Sequence, residues 1–179
     1  MHCLMVLLLS CLLLAGCSTG KGGVQTGSVQ QKVGMHIDAL LGFAIEYPLD
    51  WPKERLLDRA DDRGRVIWRD PGNEQITFLV GSAPRKVLPG ELERAIDRLP
   101  GFEATLREGV ALPAGQAEHL IGYTSSAVHN LWLLYSATHS FLIHFQSPPE
   151  LFDQWLSSQD DIIESLVILE PDYAPPATD

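Results

Sequence analysis

The chain has 179 residues, of which 45% are hydrophobic and 20% are charged, and its formal net charge is −10. This length and composition are typical of one globular domain and exclude a collagen-like or low-complexity protein. The charge is uneven, because ten acidic residues but no Lys or Arg follow Arg107. An acidic half of this kind repels phosphate groups, so nucleic acid and anionic lipid are poor partners for it.

The chain begins with an apolar stretch at residues 4–16, interrupted by Ser10 and Cys11. Its 13 residues are too few to cross a bilayer, which takes about 20, and they fit the hydrophobic region of a secretory signal. All three cysteines lie within the first 17 residues, so removal of residues 1–16 leaves Cys17 as the one thiol and no internal disulfide. The alternative interpretation is a buried N-terminal helix.

The tetrapeptide Leu14-Ala15-Gly16-Cys17 resembles the lipobox of bacterial lipoproteins. The resemblance implies that residues 1–16 are a signal peptide and that Cys17 is the lipid attachment site, which takes a diacylglycerol and, after cleavage, an acyl group on its new amino group. Each buried CH₂ stabilises membrane binding by about 0.8 kcal/mol, so two or three chains form a lasting anchor. Ser18 follows, where Asp would favour the inner membrane, and this implies the periplasmic face of the outer membrane of a Gram-negative bacterium.

Residues 17–34 form the predicted tether, because residues 18–34 contain five Gly and no acidic or aromatic residue. A flexible segment of this length has an end-to-end distance of roughly 20–25 Å. The predicted globular domain covers residues 35–171. The polar residues 172–179 are predicted to be a disordered tail.

Strands are predicted first in the globular domain. Phe43, Ile45 and Tyr47 alternate with other residues, which predicts a strand with one buried face that ends at Pro48. Residues 49–64 are expected to be a long polar connection with one helical turn started by Pro52. Residues 65–69 and 75–81 then predict a hairpin around the turn sequence at 70–73.

A helix is predicted next, from an apolar pattern with the spacing i, i+3, i+4, i+7 at Leu92, Ala95, Ile96 and Leu99. In this prediction Glu91, Arg94 and Arg98 face water, and Pro100-Gly101 ends the helix.

Residues 103–111 and 117–125 predict two further strands, and residues 129–137 and 141–146 predict a second hairpin. The last helix is predicted from a capping box with Ser147 as N-cap, Pro148 at the first helical position and Glu150. Its apolar stripe must cover a sheet, and comprises Leu151, Phe152, Trp155, Leu156, Ile162, Ile163 and Leu166.

This order of elements resembles the PsbP-like family of extrinsic photosystem II proteins and small exported bacterial proteins. The residues that carry the resemblance are Gly42-Phe43-Ala44-Ile45-Glu46-Tyr47-Pro48 with Trp51, and Ile162-Ile163-Glu164-Ser165-Leu166. The resemblance implies an α+β fold, a single-domain α/β/α sandwich in which helices pack on an antiparallel sheet. It also implies an adaptor or accessory role, and it transfers no metal ligand to this chain.

Several polar groups could carry chemistry. His36 and Asp38 lie on one face of a strand, Ser125-Ser126 stand near His129, and His129, His139 and His144 could converge in the second hairpin. Metal sites usually need three or four ligands, and a hydroxyl beside an imidazole is no triad without an orienting acid. The paired acids Asp61-Asp62 and Asp160-Asp161 are interpreted as solvated charge.

The sequence therefore predicts no catalytic, cofactor-binding or metal-binding residue, and a protein that is not an enzyme. The first functional hypothesis is a non-catalytic interaction or accessory module, held at the envelope by acyl chains on Cys17 and docked to an envelope protein. The alternative is a lipoprotein that binds a metal or a small ligand in a cleft between sheet and helix.

Overall fold

The computed structural model describes residues 32–58, 63–85 and 91–169, with no side-chain description for residues 91–93. All of these residues belong to one compact unit. The predicted signal peptide, Cys17, Asp61-Asp62 and the predicted tail lie outside the described residues. Within the described part of the chain, no helix is long and apolar enough to span a bilayer.

The described chain folds into ten strands and two helices. In chain order the elements are β1 (Val33–Asp38), β2 (Phe43–Pro48), β3 (Lys53–Asp58), β4 (Arg63–Asp70), β5 (Asn73–Pro84), α1 (Glu91–Asp97), β6 (Glu103–Leu112), β7 (Gly115–Tyr123), β8 (Val128–Tyr135), β9 (His139–Ser147), α2 (Pro149–Glu164) and β10 (Val167–Ile168). Seven strands form one antiparallel sheet in the order β3-β4-β5-β9-β8-β7-β6, and β1-β2-β10 form a small antiparallel sheet.

The large sheet is joined at its centre by the pairing of β5 with β9, in which Phe78 lies opposite Phe145. Because β6 lies at the far edge, the chain between β5 and β6 crosses the sheet, and α1 lies in this crossover. The strands β6 to β9 then return as a meander to the centre.

The first face of the large sheet carries the main core. Since side chains alternate between faces along a strand, Phe141, Ile143 and Phe145 share this face, as predicted. Helix α2 and the small sheet cover it, with Ile163 and Phe43 in the same buried cluster. The predicted stripe of the last helix therefore packs on the sheet.

The second face carries a smaller core of Leu120, Leu131 and Leu133, against which Ile96 of α1 and Phe102 pack. A Cβ at position 122, which is Gly, would overlap the Phe102 ring, so the bare backbone of β7 allows this approach. Helices thus cover both faces, and the predicted α+β sandwich of helices on an antiparallel sheet is confirmed.

The prediction of a polar connection after Pro48 was wrong, because residues 53–58 form the edge strand β3. This strand pairs with β4, with Lys53 opposite Trp68 and Asp58 opposite Arg63. An edge strand carries charged side chains and is largely exposed, so it lacks the apolar alternation of a half-buried strand. Strand β1 begins at Val33, before the predicted start of the globular domain at residue 35, and the sequence analysis considered a strand there only for His36 and Asp38.

The predicted N-cap was wrong as well. Helix α2 begins at Pro149 with Pro148 as its N-cap, and no side chain caps it. Ser147 pairs with Val128 as the last residue of β9, and its buried hydroxyl has no hydrogen-bond partner among the described residues. The strand ladder holds the backbone of Ser147 and therefore prevents the capping geometry.

Candidate functional site

A cavity of about 550 Å³ lies on the second face of the large sheet, between α1 and strands β3, β4, β5, β8 and β9. Ile96 and Phe102 cover the leucines of β7 and β8, and the described residues do not fill the space beside them, over β4 and β5. This volume falls within the range of about 300–1,000 Å³ that small-ligand sites occupy in proteins. The alternative hypothesis of a cleft between sheet and helix therefore has a concrete location.

The walls of the cavity are basic. Arg63 and Arg65 lie two residues apart on β4, so their side chains share one face of the sheet, and Arg94 of α1 and Arg98 of the turn that follows α1 also line the cavity. Asp58 is the acidic residue among the described residues of the lining. The sequence analysis placed Arg94 and Arg98 towards water and therefore missed that they line a cavity.

The floor of the cavity is apolar. It is formed by the backbone of Gly81 and by leucines of the second face of the sheet, Leu56, Leu79, Leu131 and Leu142, and the lining also includes Leu57 of β3 and Leu99 after α1. A Cβ at position 81 would meet its nearest atoms, Leu79 Cδ2 and Leu142 O, at 3.7 and 3.8 Å, which is ordinary van der Waals contact. A glycine inside a strand often marks close approach by a ligand, and here it leaves the floor open.

Two histidines stand at the edge of this floor. His144 lines the cavity, and its Nε2 lies 3.0 Å from Nδ1 of His129. Nε2 of His129 lies 3.2 Å from the Thr124 hydroxyl, which donates to the Ala127 carbonyl. If the Thr124 hydroxyl accepts from Nε2 of a neutral His129, then Nδ1 of His129 accepts from Nε2 of His144.

The titration of the pair agrees with this arrangement. Burial lowers the pKa of His129, and burial together with the neighbouring His129 lowers the pKa of His144 to about 3. In the unfolded chain both imidazoles titrate near pH 6.5. Below that pH the unfolded state therefore binds more protons than the folded state, and stability falls as the pH falls from 6.5 towards 3.

We expect the free energy of unfolding to drop by about 2 kcal/mol between pH 7 and pH 4.5 through His144, which is partly exposed to the cavity. Urea unfolding at stepped pH measures this slope. In His144→Gln, whose amide can still donate to His129, the slope should be flatter. His139→Gln is the matched control for the loss of an imidazole from the same strand, since His139 bonds Thr138 at the other end of β9. Equal slopes in both variants would contradict the assignment.

Of the three histidines that the sequence analysis grouped in the second hairpin, the structure brings two together. His129 and His144 are in contact, whereas His139 lies at the opposite end of β9 beside Phe141. Among the described residues, no group of three His, Cys, Asp or Glu could hold a metal ion. The imidazole of His129 bonds the Thr124 hydroxyl, and among the described residues neither Ser125 nor Ser126 hydrogen-bonds to it.

His36 and Asp38 form a structural cluster. Asp38 accepts two hydrogen bonds from Arg55, at 2.6 Å from Nε and 2.7 Å from Nη2, and His36 Nε2 lies 4.0 Å from its carboxylate. The aromatic rings of Phe43 and Trp68 pack around His36. This cluster ties β1 of the small sheet to β3 of the large one.

A second polar network, which the sequence analysis did not identify, crosses the first face. His119 Nε2 lies 2.7 Å from Asn130 Oδ1, and Asn130 Nδ2 donates to Gln159 of α2 at 3.0 Å. The His119 ring stacks on Trp132 with centroids 4.7 Å apart. Asn130 and Gln159 are buried and satisfy each other, so the network fixes α2 on the sheet.

Comparison with solved structures shows which known fold this chain resembles. The chain is similar to the solution structure of cyanobacterial PsbP (CyanoP) from Synechocystis sp. PCC 6803, with a TM-score of 0.61 and 14% sequence identity over 83% of this chain and 99% of that chain. A second match is the crystal structure of LpqN, involved in cell envelope biogenesis of Mycobacterium tuberculosis, with a TM-score of 0.45 and 12% identity over 80% of this chain and 88% of that chain. No protein-family model and no curated protein matches the chain. The fold is therefore PsbP-like.

Proposed function

We propose that this chain is an envelope lipoprotein whose PsbP-like domain acts as a non-catalytic interaction module. The observation that carries the proposal is the sequence Leu14-Ala15-Gly16-Cys17 at the end of an apolar stretch. Cleavage before Cys17 and acylation of its thiol and amino group would hold the domain at the membrane surface. The net charge of −10 keeps such an exported domain soluble and favours a partner with a basic surface.

The lipid anchor is tested by replacing Cys17 with Ser in the producing cell. We expect this variant to take up no radiolabelled fatty acid and to accumulate as an uncut precursor, because acylation and cleavage both need the thiol. Cys11→Ser is the matched control, since Cys11 lies within the segment that cleavage removes and its loss should change neither result. Fatty-acid labelling of Cys17→Ser at the wild-type level would contradict the proposal.

The proposed outer-membrane location depends on Ser18. Density-gradient separation of the two membranes should find the wild type and Ser18→Thr in the outer membrane and Ser18→Asp in the inner membrane. Recovery of the wild type in the inner membrane would overturn the sorting proposal while leaving the lipid anchor intact.

The interaction role is tested by site-specific photo-crosslinking in intact cells. Suitable positions are Leu106, which is exposed on the edge strand β6, and Val167, which is exposed on the small sheet. One dominant crosslinked envelope protein from at least one surface is expected, and the fully buried Phe78 is the control position that should yield none. Capture of only the most abundant outer-membrane proteins from both surfaces would count against a dedicated partner.

The cavity on the second face favours a second candidate function, the binding of a small ligand. A ligand that binds only the folded state at 100 times its dissociation constant adds about 2.7 kcal/mol to stability. Thermal unfolding of the chain with a panel of envelope metabolites measures this shift. A panel that produces no shift in any member would remove this candidate.

A further inference from the structure

The cavity between α1 and the large sheet combines a basic wall with an apolar floor. Four of the 13 Lys and Arg residues of an acidic chain line this one space, two from β4, one from α1 and one, Arg98, from the turn after α1. Arg65 and Arg98 are exposed, whereas Arg63 and Arg94 are half-buried. Asp58, Arg63 and Arg94 each make an interaction of their own, so the positive potential of the cavity rests on the exposed Arg65 and Arg98.

The guanidinium group favours particular ligands. It presents planar pairs of N–H donors that match the geometry of a carboxylate, phosphate or sulfate, and such charge-assisted hydrogen bonds are about twice as strong as neutral ones. An anion at the mouth would face these donors. A neutral or cationic head group would gain no charge-assisted hydrogen bond from Arg65 or Arg98.

The apolar floor favours a ligand whose body is hydrocarbon. Leu79, Leu131 and Leu142 present apolar side chains, and the absence of a side chain at Gly81 leaves room above β5. A ligand that only carried charge would leave this apolar surface in contact with water. Burial of hydrocarbon against it is favourable by roughly 25 cal/mol per Å².

We infer that this cavity binds a small amphipathic anion, with an acyl or aryl body on the leucine floor and a carboxylate or phosphate head against the arginines. The inference rests on the ligand-binding function proposed above and specifies its ligand class. The shared chemistry is an anionic head on a single apolar chain, whether its source is a fatty acid or a phosphate monoester.

The test is isothermal titration calorimetry on the chain from Ser18 to Asp179, which contains every described element. The probes are decanoate, decyl phosphate, 1-decanol and decylammonium, which share one chain and differ in the head. We expect one anion per chain, bound at least tenfold tighter than decanol, because hydrogen bonds to a charged group are worth about 1.5 kcal/mol or more. Decylammonium should not bind, and the two anions distinguish a carboxylate source from a phosphate source.

Two variants locate the site. Gly81→Leu fills the floor without straining the backbone and should weaken decanoate binding at least tenfold, whereas Gly109→Leu, with open space around it on β6, should leave it unchanged. Arg65→Gln should weaken decanoate about tenfold but leave decanol unchanged. Arg69→Gln is its matched control, since Arg69 lies on the same face of β4 but pairs with Glu54.

The outcomes separate the inference from the function on which it rests. Equal affinity for decanoate and decanol, or equal loss of both in Arg65→Gln, would overturn the anionic class and leave a ligand cavity standing. Binding that is unaffected by Gly81→Leu would overturn the site itself. Failure of both anions to bind would also overturn the inference, and the thermal-unfolding panel would then decide the ligand-binding function separately.

Discussion

Replacing Arg55 with Met is expected to lower the free energy of unfolding by about 3 kcal/mol at pH 7. The Asp38 side chain is 3% exposed and accepts hydrogen bonds from two guanidinium nitrogens of Arg55 and from the Leu41 amide. Without Arg55 a buried carboxylate keeps one of these three bonds and loses its counter-charge. The Arg55 side chain is 40% exposed, so the expected cost lies at the lower end of the range for broken buried pairs.

Urea unfolding of both proteins between pH 7 and pH 3.5 checks the size and the sign of this effect. Burial raises the pKa of Asp38, but the hydrogen bonds from Arg55 and Leu41 outweigh burial and hold it below its ordinary value. The pair therefore contributes stability at neutral pH, and the contribution is lost as the pH falls below about 4. In the variant, burial still raises the pKa of Asp38 but Arg55 no longer lowers it, so Asp38 takes up its proton at a higher pH. The difference in the free energy of unfolding between the variant and the wild type should therefore shrink as the pH falls.

Arg69→Met is the control for the loss of an arginine, because Arg69 and Glu54 form an exposed pair 3.2 Å apart. An exposed pair contributes at most about 1 kcal/mol. Adding Asp38→Asn to Arg55→Met should restore part of the loss, since it removes the buried charge. Equal effects of Arg55→Met and Arg69→Met would contradict a structural role for the buried pair.

Replacing Phe78 with Ala is expected to cost about 4 kcal/mol, a large share of the roughly 5–15 kcal/mol that stabilises a domain. The Phe78 ring is fully buried and is stacked between Trp68, at 4.8 Å, and Phe145, at 4.5 Å. These three residues lie on adjacent strands β4, β5 and β9. Truncation leaves a cavity at the centre of the main core that the paired strands cannot close.

Chemical denaturation with Trp fluorescence measures this cost, because Trp68 reports on the same cluster. Phe78→Leu keeps most of the volume and should cost about 1–2 kcal/mol. Leu106→Ala on β6 is the control for a lost apolar side chain at an exposed position and should cost less than about 1 kcal/mol. A Phe78→Ala protein as stable as Leu106→Ala would show that the stack does not organise the core.

Local patterns predicted the half-buried strands and the helices. The alternation of Ile76, Phe78 and Val80 specified both the strand β5 and its buried face, since the side-chain period of a strand is two residues. The same reasoning failed for β3, because an edge strand does not need an apolar face. It failed at Ser147, because the preceding strand holds that residue in its ladder.

The candidate site was predictable only in fragments. The spacing of Arg63 with Arg65 shows that the two share a face of their strand, and the four-residue spacing of Arg94 and Arg98 predicts neighbouring positions on a helix, although the observed helix ends at Asp97. That the two pairs line one cavity depends on the crossover between β5 and β6, which carries α1 over the sheet. Likewise, the hydrogen bond between His129 and His144 exists because β8 pairs with β9.

The sequence by itself determined which segments form most of the strands and helices and which faces most of them bury. It also carried the resemblance to the PsbP-like fold and predicted a lipid anchor at Cys17. The tertiary structure alone decided that β5 pairs with β9 and that Arg55 of the large sheet bonds Asp38 of the small sheet. It also decided that four arginines line one cavity with an apolar floor. The physical reason is the distance along the chain over which each effect acts. Backbone periodicity sets the direction of a side chain within its own element, whereas the partner it meets is set by long-range strand pairing and by the path of the crossover.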